Sequence, residues 1–209
     1  MAKVWEHDVL KLLLTYKILS TEQLYYLLTG TYINNRGRSL LNFYLRSMAE
    51  EGLLLRHVQK RIQGSYVTLS LKGARMVGGV PYHPRESHIS HALFVSDVMV
   101  AYFRHHKEHG RREISLSYKY LNKEYLIAPD IELVDSFIEV DRGTESLTMI
   151  ENKILAYKRY GFSHDMKPVV FITSGLEGRS KSILKVSGKD FPVRSICYKG
   201  DCPCYLQQH

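Results

Sequence analysis

Asp130, Glu139, Asp141 and Glu145 stand out among the acidic side chains of one stretch in the middle of the chain. Asp130 follows Pro129 at the end of one apolar run, and Glu139-Val140-Asp141 closes the next. Acids at the ends of two neighbouring strands can hold a divalent cation beside a phosphate. Hard oxygen ligands of this kind suit Mg²⁺ or Mn²⁺, and such an ion polarises a phosphoryl oxygen and acidifies bound water. Asp130, Glu139 and Asp141 are therefore candidate metal ligands. A helix expected over residues 144–160 backs these acids and carries Glu145, Lys153 and Tyr157. The same residues have a plainer use. Clustered carboxylates are costly unless a cation compensates them, and Arg142 could be that internal partner. Gly143 then permits a tight turn, Thr144 caps the helix, and Glu145 belongs to an acid–Arg network that locks the turn.

These residues need a scaffold, and the patterning predicts one. Residues 87–106 are apolar enough for a well-buried helix, opened by His88 and His91, three apart. A lone His-x-x-His is a weak metal signal, so His91 is given a supporting role. Residues 112–118, 125–131 and 137–141 read as strands, followed by the helix at 144–160, a strand at 168–173, a helix at 178–186 and a strand at 193–198. The order α-β-β-β-α-β-α-β predicts a mixed α/β (α+β) fold around a partly parallel sheet.

The N-terminal third has a different rhythm. Helices are expected over residues 4–17, from Ser20-Thr21 to Gly30, and from Arg36 to Glu50, ahead of Gly52. Two short strands, 53–58 and 65–69, flank a basic, Gly-ended tip, and a short helix at 71–77 runs into Gly78-Gly79. Three helices followed by a β-hairpin is the order of a winged helix-turn-helix, in which the third helix enters the major groove and the wing rides the backbone. Asn34, Asn35, Arg36, Arg38, Ser39, Asn42 and Arg46 are the candidate DNA-contacting residues of that helix, with Lys60 and Arg61 on the wing. Asn and Arg suit adenine and guanine edges. Tyr25, Tyr26, Phe43 and Tyr44 are expected in the core. The segment at 80–86, which carries Pro81 and Pro84 directly after Gly78-Gly79, is the expected linker between a domain at 1–79 and one at 87–209.

Charge agrees with a polyanion partner. The net charge is +8, and residues 1–80 carry eleven Lys and Arg against five Asp and Glu. Neutralising phosphates with such a surface releases counterions. Cys197, Cys202 and Cys204 are too few for a disulfide framework. With His209 they could supply four zinc ligands, but the spacing matches no zinc ribbon or finger, and three reduced thiols are the expectation. No apolar run is long enough to span a membrane and no signal-peptide pattern opens the chain, so a cytoplasmic protein is expected.

Pro129-Asp130 and Glu139-x-Asp141, on this element order, resemble the PD-(D/E)XK nuclease fold. The resemblance implies that Asp130 and Glu139 hold Mg²⁺. The position of the family's lysine is Asp141 here, and Lys153-x-x-x-Tyr157 is similar to the QxxxY element of RecB-type nucleases, so Lys153 would be a migrated lysine. The chain as a whole resembles the replication-relaxation family of plasmids and integrated mobile elements. The residues that carry this are Pro129-Asp130, Glu139 to Glu145 (EVDRGTE) and Lys153 with Tyr157. It implies a role in plasmid replication or DNA relaxation, with double-stranded DNA and replication or conjugation proteins as partners.

Three functions compete at this level. One is a DNA-binding protein whose nuclease-like domain no longer cuts. The second is a Mg²⁺- or Mn²⁺-dependent endonuclease or nickase. The third is a transcription regulator acting as a homodimer, although no long heptad seam is present. No pair of histidines flanks a single apolar residue as in HUH relaxases.

Overall fold

The computed structural model describes residues 5–59, 64–175, 177–188 and 191–198. They form two compact units, Met1–Val100 and Ala101–His209. The mixed α+β content expected from the patterning is present.

The first unit begins with α1 (Glu6–Tyr16), β1 (Ile18–Ser20), α2 (Thr21–Thr29) and α3 (Asn35–Glu50). It continues with β2 (Leu54–Gln59), β3 (Gly64–Leu69), α4 (Leu71–Met76) and the first fifteen residues of α5 (Glu86–His106). Local chemistry fixes the helix ends. Ser20 and Gln23 form a reciprocal capping box at α2: the Ser20 side chain accepts from the Gln23 N–H, and the Gln23 amide oxygen accepts from the Ser20 N–H at 2.7 Å. Gly30 closes α2 in the left-handed conformation. Asn34 caps α3, its Oδ1 accepting from Gly37 N–H at 2.8 Å. Leu41, Tyr44, Leu45 and Met48 repeat at i, i+3, i+4 and i+7 and form the buried face of α3. The strands pair antiparallel in the order β1-β3-β2. The three-residue β1 is too short for its periodicity to betray it.

The expected linker at 80–86 and the division at Val100–Ala101 differ by most of one helix. Ile89 and Ala92 of α5 pack with Ile18 and Tyr66, and the Ser96 hydroxyl donates to the Ile18 carbonyl at 2.6 Å. The start of α5 is thus held by the strands of the first unit.

The second unit carries β4 (Arg111–Arg112), β5 (Leu116–Tyr120), β6 (Lys123–Ile127), β7 (Ile131–Glu132) and β8 (Phe137–Asp141). They are followed by α6 (Leu147–Gly161), β9 (Val169–Ser174), α7 (Glu177–Ser187) and β10 (Val193–Tyr198). Five strands form one sheet in the order β10-β9-β8-β7-β4. The pairs β8–β9 and β9–β10 are parallel, with α6 and α7 as the crossovers, while β7 runs antiparallel to β8. The strands expected at 112–118 and 125–131 are more divided than the patterning suggested. β5 and β6 form their own hairpin around Leu121-Asn122, both at positive φ as a tight two-residue turn requires. Pro129 has no N–H to offer a ladder, so β6 ends at Ile127 and pairing resumes only at β7. Phe137, Ile150, Ile154, Tyr157, Val169, Phe171 and Ile183 make the core between the sheet and its helices.

The wing tip with Lys60 and Arg61, and the C-terminal Cys202, Cys204 and His209, lie outside the described residues. Cys197, on β10, is a free thiol. Among the described residues no helix is long and apolar enough to cross a membrane.

Candidate functional site

β8 lies between β7 and β9, and all five of its residues are buried. Its alternation sends Phe137, Glu139 and Asp141 to one face. Phe137 belongs there, against the core of α6. The two carboxylates do not, and at 3% and 2% exposure they survive only because other elements bring them cations.

Each acid is met separately. Lys153 and Tyr157, one turn apart on α6, converge on Glu139. The Lys153 ammonium donates to Glu139 Oε2 at 2.8 Å and the Tyr157 hydroxyl to Oε1 at 2.5 Å. Lys153 also donates to Glu145 Oε1 at 2.8 Å. Asp141 is held by Arg179 of α7, whose Nε donates to Oδ2 at 2.5 Å, while the Gly143 N–H donates to Oδ1 at 2.8 Å. A second guanidinium nitrogen of Arg179 donates to the Glu145 carbonyl at 2.5 Å, tying the turn after β8 to α7. Gly143 sits at φ 78°, so the turn needs a glycine. Asp130 occupies the bend before β7, and its Oδ2 accepts from Val140 N–H at 2.7 Å. β7 covers β8 only as far as Ile138. The Asp130 carboxylate therefore takes over the ladder where β7 runs out.

The electrostatics follow from burial. Burial, and then the negative charge of Asp130, push the Glu139 carboxyl up to about 7, against the downward pull of Lys153 and Tyr157. Burial would strip Lys153 of its charge, but Glu139 and Glu145 outweigh it and hold the ammonium protonated, above its ordinary value. Burial, then Glu139, raises the Tyr157 phenol well above the usual tyrosine range. The Tyr157 phenol is thus held protonated, as a hydrogen-bond donor to Glu139.

A pH effect on stability follows. An acid whose carboxyl is raised in the folded state binds more protons there than in the unfolded chain, so its contribution falls as pH rises. Between its ordinary value of 4.5 and about 7, Glu139 should withdraw about 3 kcal/mol. Melting temperatures of the wild type and Glu139→Gln, measured across that range, should diverge in slope, with the Gln variant flatter. Parallel curves would show that Glu139 does not titrate there.

Two expectations about individual residues change. Arg142 is exposed, and the cations that compensate the acids are Lys153 and Arg179. The cap of α6 is Ser146, whose side chain accepts from Met149 N–H, not Thr144. Arg179 had no signal of its own in the sequence. The one clue was arithmetic: two buried acids on one strand need two cations. His91 lies half-buried on α5 within the first unit.

These residues do not fit a metal ion as they stand. Asp130, Glu139 and Asp141 spend oxygens on Val140, on Lys153 with Tyr157, and on Gly143 with Arg179. Among the described residues no group of three or more His, Cys, Asp or Glu side chains is placed to hold a metal. Among the described residues, Glu145 Oε2 is a buried carboxylate oxygen without a hydrogen-bond partner.

The candidate DNA-contacting residues on α3 divide into two sets. Asn34 is committed to the helix cap, Asn42 accepts from Arg56 at 3.0 Å, and Arg38 pairs with Glu22 at 3.2 Å in an exposed, weak ion pair. Asn35, Arg36, Ser39 and Arg46 face solvent. The expectation that Phe43 is core fails: it is 71% exposed, because the buried stripe of α3 runs through Leu41, Tyr44, Leu45 and Met48 and leaves position 43 on the opposite side. Tyr44 is buried as expected, and Tyr25 and Tyr26 are half-buried.

A family model described as replication-relaxation matches residues 10–170. The match takes in α3 and the acids, Lys153 and Tyr157, and ends before Arg179. No curated protein and no solved structure matches the chain.

Proposed function

The chain belongs to the replication-relaxation family, and from that premise we propose that it is a DNA-binding protein of a plasmid or mobile element. Its first unit acts as a winged helix, and its nuclease-like second unit serves as a scaffold. The observation that carries this reading is the solvent face of α3. Asn35, Arg36, Ser39 and Arg46 lie on it, and no acid of that helix precedes Glu50. The helix stands beside a three-stranded antiparallel sheet whose hairpin would be the wing. A helix of this kind fits the major groove, with arginines on phosphates or guanine edges.

The scaffold half of the proposal rests on charge. Lys153 and Arg179 occupy the carboxylates that a metal would need, so the acids of β8 stabilise the turn into α6 instead of recruiting Mg²⁺ or Mn²⁺. One observation favours the endonuclease reading: Asp130 and Glu139 repel each other beside Lys153 and the open Glu145 Oε2. A cation would relieve that repulsion.

Two measurements test the proposal. Affinity of the full chain for duplex DNA should fall steeply with salt, with a log–log slope of about −0.9 per phosphate neutralised. A flat response would remove DNA binding. Supercoiled plasmid incubated with Mn²⁺ should stay intact with the wild type and with Asp130→Ala alike. Nicking by the wild type that Asp130→Ala abolishes would overturn the scaffold and establish an enzyme.

A further inference from the structure

We infer that Phe43, with Leu40 beside it, reads thymine methyl groups in the major groove; the inference rests on the DNA-binding reading of the first unit. Phe43 is 71% exposed and Leu40 57% exposed. They are three residues apart, so they form one apolar step on the solvent face of α3. Neither is needed for packing, which Leu41, Tyr44, Leu45 and Met48 already supply. Around Phe43, at the helical spacings that share its face, stand Arg36, Ser39, Leu40 and Arg46.

The charge of this face selects the occupant. Two arginines flank the apolar step, and no carboxylate of α3 lies between them. An apolar protein groove would have to desolvate both guanidinium groups or supply acids for each. Duplex DNA supplies phosphates or guanine edges for the arginines, and it also carries one apolar group in the major groove: the 5-methyl of thymine, which Phe and aliphatic side chains contact. Arg36 and Phe43 are seven residues apart, about 10 Å along the helix axis, which is about three base-pair steps of duplex. Phe43 sits in the third turn of a sixteen-residue helix.

The test uses the full chain and a random-sequence duplex pool. Bound duplexes are selected at moderate salt, and each thymine of the enriched sequence is then replaced by deoxyuridine, which lacks only the methyl. At one or two positions this should weaken binding by about three- to fourfold, the worth of a buried methyl. Phe43→Ala or Leu40→Ala should bind thymine and uridine duplexes alike at those positions. Both side chains are exposed, so both variants should keep the wild-type melting temperature. Salt-dependent binding that is indifferent to uridine at every position would overturn the inference alone. So would a uridine penalty that survives in both alanine variants, or a pool with no enriched sequence. Absence of any duplex binding would overturn the DNA-binding reading and this inference with it.

Discussion

Replacing Arg179 with Met should cost the second unit about 3–5 kcal/mol, the range for stranding one partner of a buried ion pair. Asp141 is 2% exposed and would keep only the Gly143 N–H. The Glu145 carbonyl would lose its donor in the same step. A loss of that size is a large part of what a domain has, about 5–15 kcal/mol. The chain holds two units, so a single global transition is the wrong probe. The only tryptophan, Trp5, lies in the first unit, and its fluorescence would miss the event. Amide hydrogen exchange in β8 and β9 reports it directly. Those amides should exchange through a much cheaper opening in Arg179→Met, with the first unit unchanged. The double variant Asp141→Leu/Arg179→Met should regain most of the loss, because an apolar pair of similar volume removes the stranded charge. The single variant Arg179→Met, which keeps Asp141, also separates scaffold from metal site. If Asp141 were a ligand held back by Arg179, Mn²⁺ would protect β8 in Arg179→Met and leave the wild type alone. Protection in β8 within about 0.5 kcal/mol of wild type, the range of inert surface changes, would deny the Asp141–Arg179 pair any role.

How much of this was legible before the fold depends on the distance over which each feature is decided. Caps and stops are decided within a few residues, so Gly30 and Gly52 could be read directly and the cap of α2 narrowed to Ser20 or Thr21, while the cap of α6 fell on Ser146, two residues past the expected Thr144. The face of α6 that carries Lys153 and Tyr157 is also local, being one helical turn, whereas their shared target, Glu139, is set by how α6 packs on β8. The partner of Asp141 was not local. Arg179 comes from α7, beyond β9, and parallel strand order alone places it beside β8. Arg142, adjacent in sequence, was the natural candidate. It points outward because residue 142 follows Asp141 at the strand end, where the alternation of faces has just sent the acid inward. Asp130 was legible as an acid at a bend but not as the group that completes the β8 ladder, since that role exists only because β7 is two residues long. On α3, Phe43 was misplaced because residue type was allowed to outweigh helical phase. The spacing of Leu41, Tyr44, Leu45 and Met48 already leaves position 43 outside.

The double variant Arg36→Ala/Arg46→Ala should weaken duplex DNA binding by one to two orders of magnitude at moderate salt and leave folding intact. Both side chains are exposed on α3, and no hydrogen bond or ion pair ties them to the described core. Surface changes of this kind stay within about 0.5 kcal/mol of wild-type stability. What they remove is the electrostatic part of binding. Each arginine that neutralises a phosphate contributes about one unit to the slope of log affinity against log salt, so the double variant should bind with a slope shallower by about two. The slope separates two roles for each arginine. An arginine that reads a guanine edge is worth about 1–3 kcal/mol at one base pair and relaxes specificity there when removed. An arginine on a phosphate weakens all sequences alike. Arg38→Ala is the internal comparison: its guanidinium already pairs with Glu22, so its loss should matter less than that of Arg36, two residues away. Asn34→Ala is the second comparison, because it removes the cap of α3 and should lower helix stability by about 1 kcal/mol, softening the whole face without removing a charge. If Arg36→Ala/Arg46→Ala binds duplex DNA with unchanged affinity and slope, α3 is not the DNA-facing helix. The basic balance of the N-terminal third must then act through another surface.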